Sequence, residues 1–566
     1  MKLDSVALKI LQNRLVNICQ EMAKAMMRTA YSPIFSESLD FCTILLDRNG
    51  DLLAMADMNP AMLGSGALSG KWIVEELGRE AFEPGDVIVD NDPYRGMCHM
   101  PEHLLLAPFF HGGKLAGFVG NVAHVGEIGG MAPGSFASNA TDIYQEGLRL
   151  PPVKLMRHGE YDESIWKVIL ANHRTPDNTW GDFNAMIGSL NIGLRRLEEL
   201  FEEHGADELE EANVALFEHA EQWLRSEIRE LADGAYSGED VIEDDGVEDR
   251  EYTIRVCVVV DGDEIVVDFT GTDPQARGPI NAPYTVTLAA TCNGLFQLFR
   301  DFPLNAGSFR PIKVIAPPGS LVNVVHPAPC VAGQTEIQPR IIDLIQGRCL
   351  AQAVPERVAA ACGGTCSNFL FGGVHPETGR YYAHYHFDGM GWGGRRFTDG
   401  NSAQNVPHGN CPNTPIEIFE TRFPFRHLRY SLRPDSGGAG RTRGGLGILR
   451  EMEVLADEVT VSALYERMKR EPWGIEGGRA GKRTQLLIRR AGEDEFRPFG
   501  AVFGTVSPSK FTNIRLRRGD RVLIATPGGG GYGPPSERDP ELVLRDHQDG
   551  WISQEAAREE YGVAIA

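Results

Sequence analysis

The chain has 566 residues, of which 42% are hydrophobic and 23% charged, which is typical of compact globular proteins and excludes extended disorder or a fibrous repeat. Its 78 acidic residues outnumber its 55 Lys and Arg residues, and the formal net charge of −23 disfavours nucleic acid and anionic membranes as partners. At roughly 150 residues per domain, this length predicts three or four structural units.

The N-terminal segment predicts an amphipathic helix followed by a hairpin. Apolar side chains recur at intervals of three and four residues between positions 6 and 27, and Asp4 or Ser5 is available as the N-cap. Residues 40–47 and 51–54 then have the composition of two strands, and an Asn-Gly pair between them is a strong turn signal.

The remaining chain predicts mostly β structure, interrupted by one helical insert. Residues 85–130 favour a sheet with functional loops, residues 175–232 favour helices rich in Glu on their outer faces, and residues 252–269 favour two strands. The chain contains 64 glycines, which predict many positive-φ turns and close backbone approaches, and residues 537–561 predict a helical tail. We therefore expect a large, β-rich α+β fold divided into five ranges, 1–174, 175–235, 236–345, 346–535 and 536–566.

The sequence carries no sign of export. Residues 1–31 lack the pattern of a signal peptide, and no apolar run is long enough to cross a bilayer, so we expect a cytoplasmic protein. Ten cysteines are scattered without a C-x-x-C pair, which disfavours a disulfide framework or a zinc knuckle and favours buried, reduced thiols.

Ligand-type side chains concentrate around residues 92–103 and 121–127. His99 and Glu102 from one loop, with His124 from the end of the following hairpin and a further carboxylate, would hold Zn²⁺, Mn²⁺ or Fe²⁺. The same segment matches the H-x-x-E-H metalloprotease pattern, but that motif requires a helix and Pro101 lies inside it. The alternative is that these histidines only hold loops by hydrogen bonds.

The chain lacks the common nucleotide-binding and serine-hydrolase motifs. The nearest resemblance to a phosphate-binding loop, residues 477–484, has Glu476 in place of the first glycine and Arg483 in place of Ser or Thr. The chain contains neither G-x-G-x-x-G between a strand and a helix nor a G-x-S-x-G elbow, so we expect it not to bind ATP itself. Cys98, next to a proposed ligand, is a candidate nucleophile or soft metal ligand, with a buried inert thiol as the alternative.

Several long motifs, in order along the chain, together resemble the hydantoinase B/oxoprolinase family. They are Asp92-Pro-Tyr with His99-x-Pro-Glu102, Ala123-His124 with Glu127-Ile-Gly-Gly130, Gly278-Pro-Ile-Asn281-Ala-Pro283, Asn305-Ala-Gly-Ser-Phe-Arg310-Pro311, residues 430–440, Arg443-Gly-Gly-Leu-Gly447, Pro472-Trp-Gly474 and residues 526–533.

The resemblance implies a B-type subunit that works in a hetero-oligomer with an A-type, ATP-binding subunit. In that family the A-type partner phosphorylates a carbonyl oxygen, and the B-type subunit carries a divalent metal where the activated intermediate is hydrolysed or carboxylated. By position, the resemblance assigns the metal ligands to Asp40, His99, Glu102 and His124. ATP would act only through the partner.

The resemblance also assigns further site residues, with departures from the family pattern. Glu127 and Cys98 are the candidate catalytic residues, and Asp399, Asn413 and Glu417 are candidates for binding substrate, although a role in turns explains the last three equally well. The family usually has Asp at positions 102 and 127, Thr at 98, and His at 62 and 125, where this chain has Met62 and Val125.

The resemblance therefore predicts a subunit of an ATP-dependent hydrolase that opens a cyclic amide of the hydantoin, oxoproline or lactam type. A subunit of a ketone carboxylase acting on an acetone-like or acetophenone-like substrate is the first alternative. A catalytically degenerate, structural subunit is the second, because Met62 and Val125 replace imidazoles.

Overall fold

The computed structural model describes residues 5–56, 58–299 and 302–565, and the predicted α+β class is confirmed. Helices form the N-terminus, an insert in the middle and the tail, as the sequence predicts. Their bounds are α1 Ser5–Thr29, α2 Pro33–Ser36, α3 Leu63–Leu77, α4 Glu163–Asn172, α5 Pro176–His204, α6 Ala206–Ile228, α7 Tyr284–Phe296, α8 Gln338–Asp343, α9 Ile416–Arg422, α10 Phe499–Phe503, α11 Pro540–Gln548 and α12 Gln554–Tyr561. Asp4, one of the two proposed N-caps of α1, lies outside the described residues.

The first sheet has seven strands and carries the predicted ligands. Its strands are β1 Phe41–Asp47, β2 Leu52–Met55, β3 Val87–Asp90, β4 Glu102–His111, β5 Lys114–His124, β6 Val153–Arg157 and β7 Glu160–Tyr161, in the order β2-β1-β5-β4-β3-β6-β7. The predicted hairpin is β1 and β2, which pair antiparallel around Gly50 at φ +83°, a left-handed conformation that glycine adopts readily.

Helices α1 and α5 pack together over this sheet. A Cβ added at Gly193 of α5 would lie 2.5 Å from Val119 Cγ1 and 2.6 Å from Met22 Sδ, so a side chain there would force the helix away from the sheet and from α1. The insert therefore packs into the core that surrounds the site.

Three more sheets complete the β structure. One contains β8 Gly234–Ile242, β9 Tyr252–Asp261, β10 Glu264–Asp268 and β11 Ile312–Ile315 in the order β11-β10-β9-β8. The remaining strands are β12 Asn368–Val374, β13 Tyr381–Phe387, β14 Phe425–Leu432, β15 Ile448–Val454, β16 Glu458–Leu464, β17 Gln485–Arg489, β18 Arg497–Pro498, β19 Lys510–Arg517 and β20 Arg521–Ala525, which form the sheets β13-β12-β16-β19 and β14-β15-β20-β17-β18.

Two large hydrophobic clusters hold these layers together. The larger runs from Leu11 to Tyr532 and joins the first two sheets to the helices around them. The smaller contains buried side chains from both C-terminal sheets, such as Phe371 and Val522, and packs one sheet on the other. The five ranges proposed from the sequence stay a prediction.

Glycine segments outside the regular strands pack backbone against backbone, and we call them the glycine bundle: residues 389–394, 437–447, 474–481 and 528–531. A Cβ added at Gly529 would lie 1.9 Å from the Trp392 carbonyl oxygen, and one at Gly445 would lie 1.9 Å from the Asn401 carbonyl oxygen. Since no real Cβ approaches an oxygen so closely, these positions admit glycine alone. The close approaches expected from the glycine content are present here.

Candidate metal centre

The first sheet brings three of the four predicted ligands to one end of three adjacent strands. Glu102 begins β4 and lies opposite His124, which ends β5, while Asp40 immediately precedes β1. The His124 amide donates to the Asp40 carbonyl at 3.0 Å. His99 lies three residues before β4, in the bend that follows the turn Pro93–Arg95.

The two imidazoles face each other in the interior. His99 Nε2 lies 3.2 Å from His124 Nδ1, and both residues are at most 2% exposed. The other nitrogen of His99, Nδ1, donates to the Val331 carbonyl at 3.0 Å, which fixes the tautomer and places the Nε2 lone pair toward His124. His124 Nε2 is buried with no hydrogen-bond partner among the described residues.

A carboxylate lies beside each imidazole. Glu102 Oε1 is 3.8 Å from His99 Nε2, and Asp40 Oδ2 is 3.9 Å from His124 Nδ1. Neutral donors hold both groups: Asn59 donates to Asp40 at 2.5 Å, Ser65 donates to Glu102 at 3.3 Å, and the Gln334 amide also donates to Glu102.

Burial is the largest cause of the pKa shifts of these four side chains. Burial raises the pKa of Asp40 to about 6 and that of Glu102 to about 8, and the hydrogen bonds from Asn59 and Gln334 only partly oppose it. Burial lowers the pKa of His99 to about 4 and that of His124 well below its ordinary value. The imidazoles are therefore neutral near pH 7, where Glu102 is mostly protonated, and a nearby positive charge would favour ionisation of both carboxyls.

The donor chemistry suits a divalent ion, but the ligand atoms are close only in pairs: among the described residues, no three ligand atoms of this centre all lie within 4.8 Å of one another. Neighbouring ligand atoms that share an ion at about 2.1 Å lie about 3.0–3.4 Å apart, and the two imidazole nitrogens satisfy that spacing. The carboxylate contacts exceed it by only about half an ångström. Two neutral imidazoles and two carboxylates are a donor set for Zn²⁺, Mn²⁺ or Fe²⁺.

Sequence reasoning missed two residues at this centre. Gln334, in the π-helical segment Gly333–Ile337, contacts Glu102, and His408 lines the same small cavity as Asp40 and His124. Both are far along the chain from the predicted ligands, so spacing gave no signal for either. A π-helical turn often marks a functional site once a structure is known.

A cavity of about 20 Å³, roughly the size of one water, opens on Asp40 and His124. It adjoins a surface cleft of about 540 Å³, and the two share Asn405, Val406, Gly409 and Cys411 in their walls. The Cys411 thiol donates to Asp40. The segment 405–411 therefore lies between the centre and the surface cleft.

The two predicted catalytic residues lie in different surroundings. Cys98 is fully buried, its thiol is 3.1 Å from the Ser65 hydroxyl, and burial raises its pKa well above the ordinary value, which disfavours the thiolate that a nucleophile needs. Glu127 pairs with Arg174 at 2.8 Å and accepts from the Gly129 and Gly134 amides, so it organises its own loop. It lines a separate cavity of about 200 Å³ and not the cavity at Asp40.

Of the three predicted substrate-binding residues, the structure brings only Asn413 to the cleft, where its amide donates to the Tyr430 hydroxyl. Asp399 pairs with Arg538 at 2.7 Å and accepts from the Arg443 amide, so it holds the chain together away from the cleft. Glu417 is exposed in the first turn of α9 and does not line the cleft. The contacts of Asp399 are structural, while the roles predicted for Asn413 and Glu417 stay predictions.

At the two positions where the family usually has histidine, this chain has apolar side chains. Met62 is fully buried in the large hydrophobic cluster, and Val125 is 2% exposed in the wall of the 200 Å³ cavity. Both positions are filled by apolar packing.

A more compact group of ligand atoms lies elsewhere. Among the described residues, Glu83, Asp86 and His158 have ligand atoms all within 4.8 Å of one another, and this group was not predicted. The Lys154 ammonium already lies 2.7 Å from Asp86 and 3.7 Å from Glu83, so a cation balances these carboxylates. The His158 and Glu83 side chains are exposed.

Within the described ranges, no helix is long and apolar enough to cross a membrane. The ten cysteines are all free, and nine of them are buried.

Comparison with known proteins gives a consistent result over the whole chain. The sequence model of the hydantoinase B/oxoprolinase family matches residues 4–535. The B-type subunit of a putative D-/L-hydantoinase from Pseudomonas sp. strain NS671 is 35% identical over 581 aligned positions, which cover 100% of this chain and 96% of that protein.

Solved structures share the fold. The ATP-dependent caprolactamase from Pseudomonas jessenii superposes with a TM-score of 0.90 at 29% identity, covering 100% of this chain and 97% of that one. The nucleotide-free acetone carboxylase structure also gives a TM-score of 0.90, covering 100% of this chain and 80% of that one, at 19% identity.

Proposed function

The chain belongs to the hydantoinase B/oxoprolinase family, and from that premise we propose that it is the metal-bearing B-type subunit of an ATP-dependent enzyme that opens a cyclic amide. The observation that carries the proposal is the buried pair of His99 Nε2 and His124 Nδ1 at 3.2 Å, with a carboxylate beside each. The relatives named as a hydantoinase and a caprolactamase support an amide ring as the substrate.

In this proposal each residue has a definite role. Asp40, His99, Glu102 and His124 hold a divalent ion, which when bound polarises a carbonyl oxygen or lowers the pKa of a water molecule. The Val331 carbonyl keeps the His99 Nε2 lone pair turned inward, and Gln334 orients Glu102. The buried walls at Tyr385 and Phe136, which stack on His124, keep bulk water away.

Activation by ATP falls to a separate A-type subunit. The amide of Lys482, in the loop that resembles a phosphate-binding site, donates to the Ser436 carbonyl beside the glycine bundle, and a strand, Gln485–Arg489, follows. A phosphate-binding loop of that type requires a helix N-terminus at this point. The described part of the chain therefore supports the proposal that ATP binds to a separate polypeptide.

Metal content tests the centre directly. The purified chain, prepared without chelator, should contain close to one divalent transition metal ion by elemental analysis, and His99→Ala and His124→Ala should each lose it. His158→Ala is the matched control, because it removes an imidazole from the compact surface group and should leave the metal content unchanged. Loss of metal in His158→Ala alone would move the site to that group.

The ketone carboxylase alternative rests on the fold shared with acetone carboxylase, and the degenerate-subunit alternative on Met62 and Val125. Turnover by the chain with its A-type partner separates them. ATP-dependent ring opening supports the hydrolase, bicarbonate-dependent consumption of a ketone supports the carboxylase, and a metal-free chain that only assembles supports the degenerate subunit.

A further inference from the structure

The surface cleft that adjoins the cavity at the metal centre has an unusual wall for a protein of this charge. Among the described residues lining it, none carries a charge, and the polar side chains are the carboxamides Gln404, Asn405, Asn410 and Asn413. The ring of Trp392 and that of Tyr430 supply flat apolar surface. Its volume of about 540 Å³ is within the range of sites for small molecules.

The nearest cation behind this wall is not available to a ligand. Arg450 lies with its guanidinium 4.3 Å from the centroid of the Tyr430 ring. It is 1% exposed, and its Nη2 is 2.8 Å from Asp388, so its charge is both buried and balanced. In the adjoining 20 Å³ cavity, Asp40 adds a carboxyl group. A carboxylate on a ligand ring would lose its hydration here and gain no cationic partner among the described residues that line the cleft.

The small cavity that adjoins the cleft contains one fixed hydrogen-bond acceptor. His408 is 1% exposed in the 20 Å³ cavity, and its ring hydrogen-bonds the Gln334 backbone. Its Nδ1 is buried with no partner among the described residues. Because the backbone group raises the basicity of the ring, it is a carbonyl that accepts the Nε2 proton, and Nδ1 is left with a lone pair. A ligand satisfies this atom only by donating to it.

We propose that the cleft selects an uncharged ring carrying an amide N–H, which donates to His408 Nδ1, and rejects the same ring bearing a carboxylate. This inference rests on the proposed function and narrows its substrate class to neutral lactams and hydantoins. Trp392 and Tyr430 cover the faces of the ring, and the carboxamides match its carbonyl and N–H groups.

Three related compounds test the selection by binding alone. 2-Pyrrolidone is a neutral five-membered lactam, 5-oxoproline is the same ring with a carboxylate, and N-methyl-2-pyrrolidone is the same ring without the N–H. In a saturation-transfer NMR titration of the purified chain, 2-pyrrolidone should bind with a Kd at least about tenfold below that of either relative, equivalent to about 1.4 kcal/mol. Equal or tighter binding of 5-oxoproline, equal binding of the N-methyl compound, or no binding of 2-pyrrolidone overturns the inference.

A charge introduced into the wall provides a second test. Asn413→Arg places a guanidinium in the cleft and should shift the preference toward 5-oxoproline by at least about tenfold. Asn17→Arg is the matched control, since the same substitution on the exposed face of α1 should leave the preference unchanged. An Asn413→Arg chain with the wild-type preference shows that ligands bind elsewhere and overturns the inference.

These outcomes are distinguishable from those of the proposed function. Selective binding of 2-pyrrolidone without ATP-dependent ring opening in the complex contradicts the proposed function and leaves the cleft assignment standing. Ring opening that prefers 5-oxoproline contradicts the cleft assignment and leaves the proposed function standing.

Discussion

Glu102 accepts hydrogen bonds from the neutral side chains Gln334 and Ser65, and burial raises its pKa to about 8. If it is a ligand, Glu102→Gln replaces an anionic donor with a neutral one, and we expect metal affinity to fall by at least about tenfold, a typical loss even for partners of ligands. Glu102→Asp keeps the charge and shortens the reach by about 1.5 Å, so its effect should be smaller. Titration against a competing chelator measures both.

Glu83→Gln is the control for that experiment, because it alters a carboxylate of the exposed group at Lys154. It should leave metal affinity unchanged. Equal affinity in Glu102→Gln and wild type would remove Glu102 from the centre and leave Asp40, His99 and His124.

Glu146 holds the segment that fixes His99, and its titration makes the free energy of unfolding depend on pH. Its Oε1 accepts from the amides of Cys330 and Val331 at 2.8 and 2.9 Å, and the Val331 carbonyl in turn holds His99. Burial raises its pKa from 4.5 to about 8. The folded state therefore holds the proton more tightly than the unfolded state, and this stabilisation is complete below about pH 4.5 and lost as the pH rises toward 8.

Glu146→Gln keeps the acceptor oxygen and cannot ionise, so it should be more stable than wild type above pH 8 and nearly equal to it at acidic pH. Urea unfolding of both chains across this range measures the difference. The exposed Glu377→Gln is the control and should show no such trend. A Glu146→Gln chain that is less stable at every pH would mean that the carboxyl is ionised and paired.

The residues of the centre divide by how far apart they lie in the sequence. His99, Glu102 and His124 are predictable because two strands of one hairpin place them together. Their short spacing in the sequence is therefore a local signal of the site. Asp40 came only from the family resemblance. Gln334 and His408 were not predictable, since each reaches the centre through tertiary packing of a distant segment.

The π-helical segment Gly333–Ile337 is the element that presses Gln334 against Glu102. A Cβ at Gly333 would lie 2.3 Å from the Asn281 carbonyl oxygen, so Gly333→Ala must displace the segment. We expect lower stability by about 1–3 kcal/mol, as for other overpacked sites, together with weaker metal binding. Unfolding and metal titration of the same preparation measure both effects.

Gly188→Ala in α5 is the control for backbone effects, because a Cβ there meets no heavy atom within 4 Å. It should raise stability by about 0.5–1 kcal/mol, since alanine has the higher helix propensity. A Gly333→Ala chain that matched Gly188→Ala in stability and metal affinity would show that the segment can move freely.

At the level of elements, local patterns were sufficient for α1, for the hairpin β1–β2 and for the insert that became α5 and α6. The π-helical segment left no such signal, and the close approach of Gly333 to Asn281 and Ala282 joins segments that are distant in the sequence.

For the whole molecule, the proposed division of labour predicts that the purified chain alone does not turn over ATP and that it co-purifies with an A-type subunit when both are expressed. Phosphate release assays with and without the partner measure this. ATP hydrolysis by this chain alone, at a rate unaffected by the partner, would contradict the assignment.

The arrangement of the four sheets was not predictable. Strand composition located many strands, but the order β2-β1-β5-β4-β3-β6-β7 and the stacking of the two C-terminal sheets depend on contacts between distant residues. The large hydrophobic cluster from Leu11 to Tyr532 crosses the boundaries between the five ranges proposed from the sequence. Local sequence patterns do not show that a core continues across such boundaries.

The glycine bundle has a consequence for the dynamics of the chain. The amide of Gly438 donates to the Gly529 carbonyl at 2.8 Å, that of Gly529 to Gly445 at 3.0 Å, and that of Gly394 to Gly530 at 2.8 Å, all outside regular strands. Amides locked in this way exchange with deuterium only when the surrounding structure opens. We expect mass spectrometry to find slower deuterium exchange in residues 528–531 than in the short exposed strand β7. Segments that are usually regarded as flexible because they are rich in glycine would then be among the parts of the protein that open most slowly.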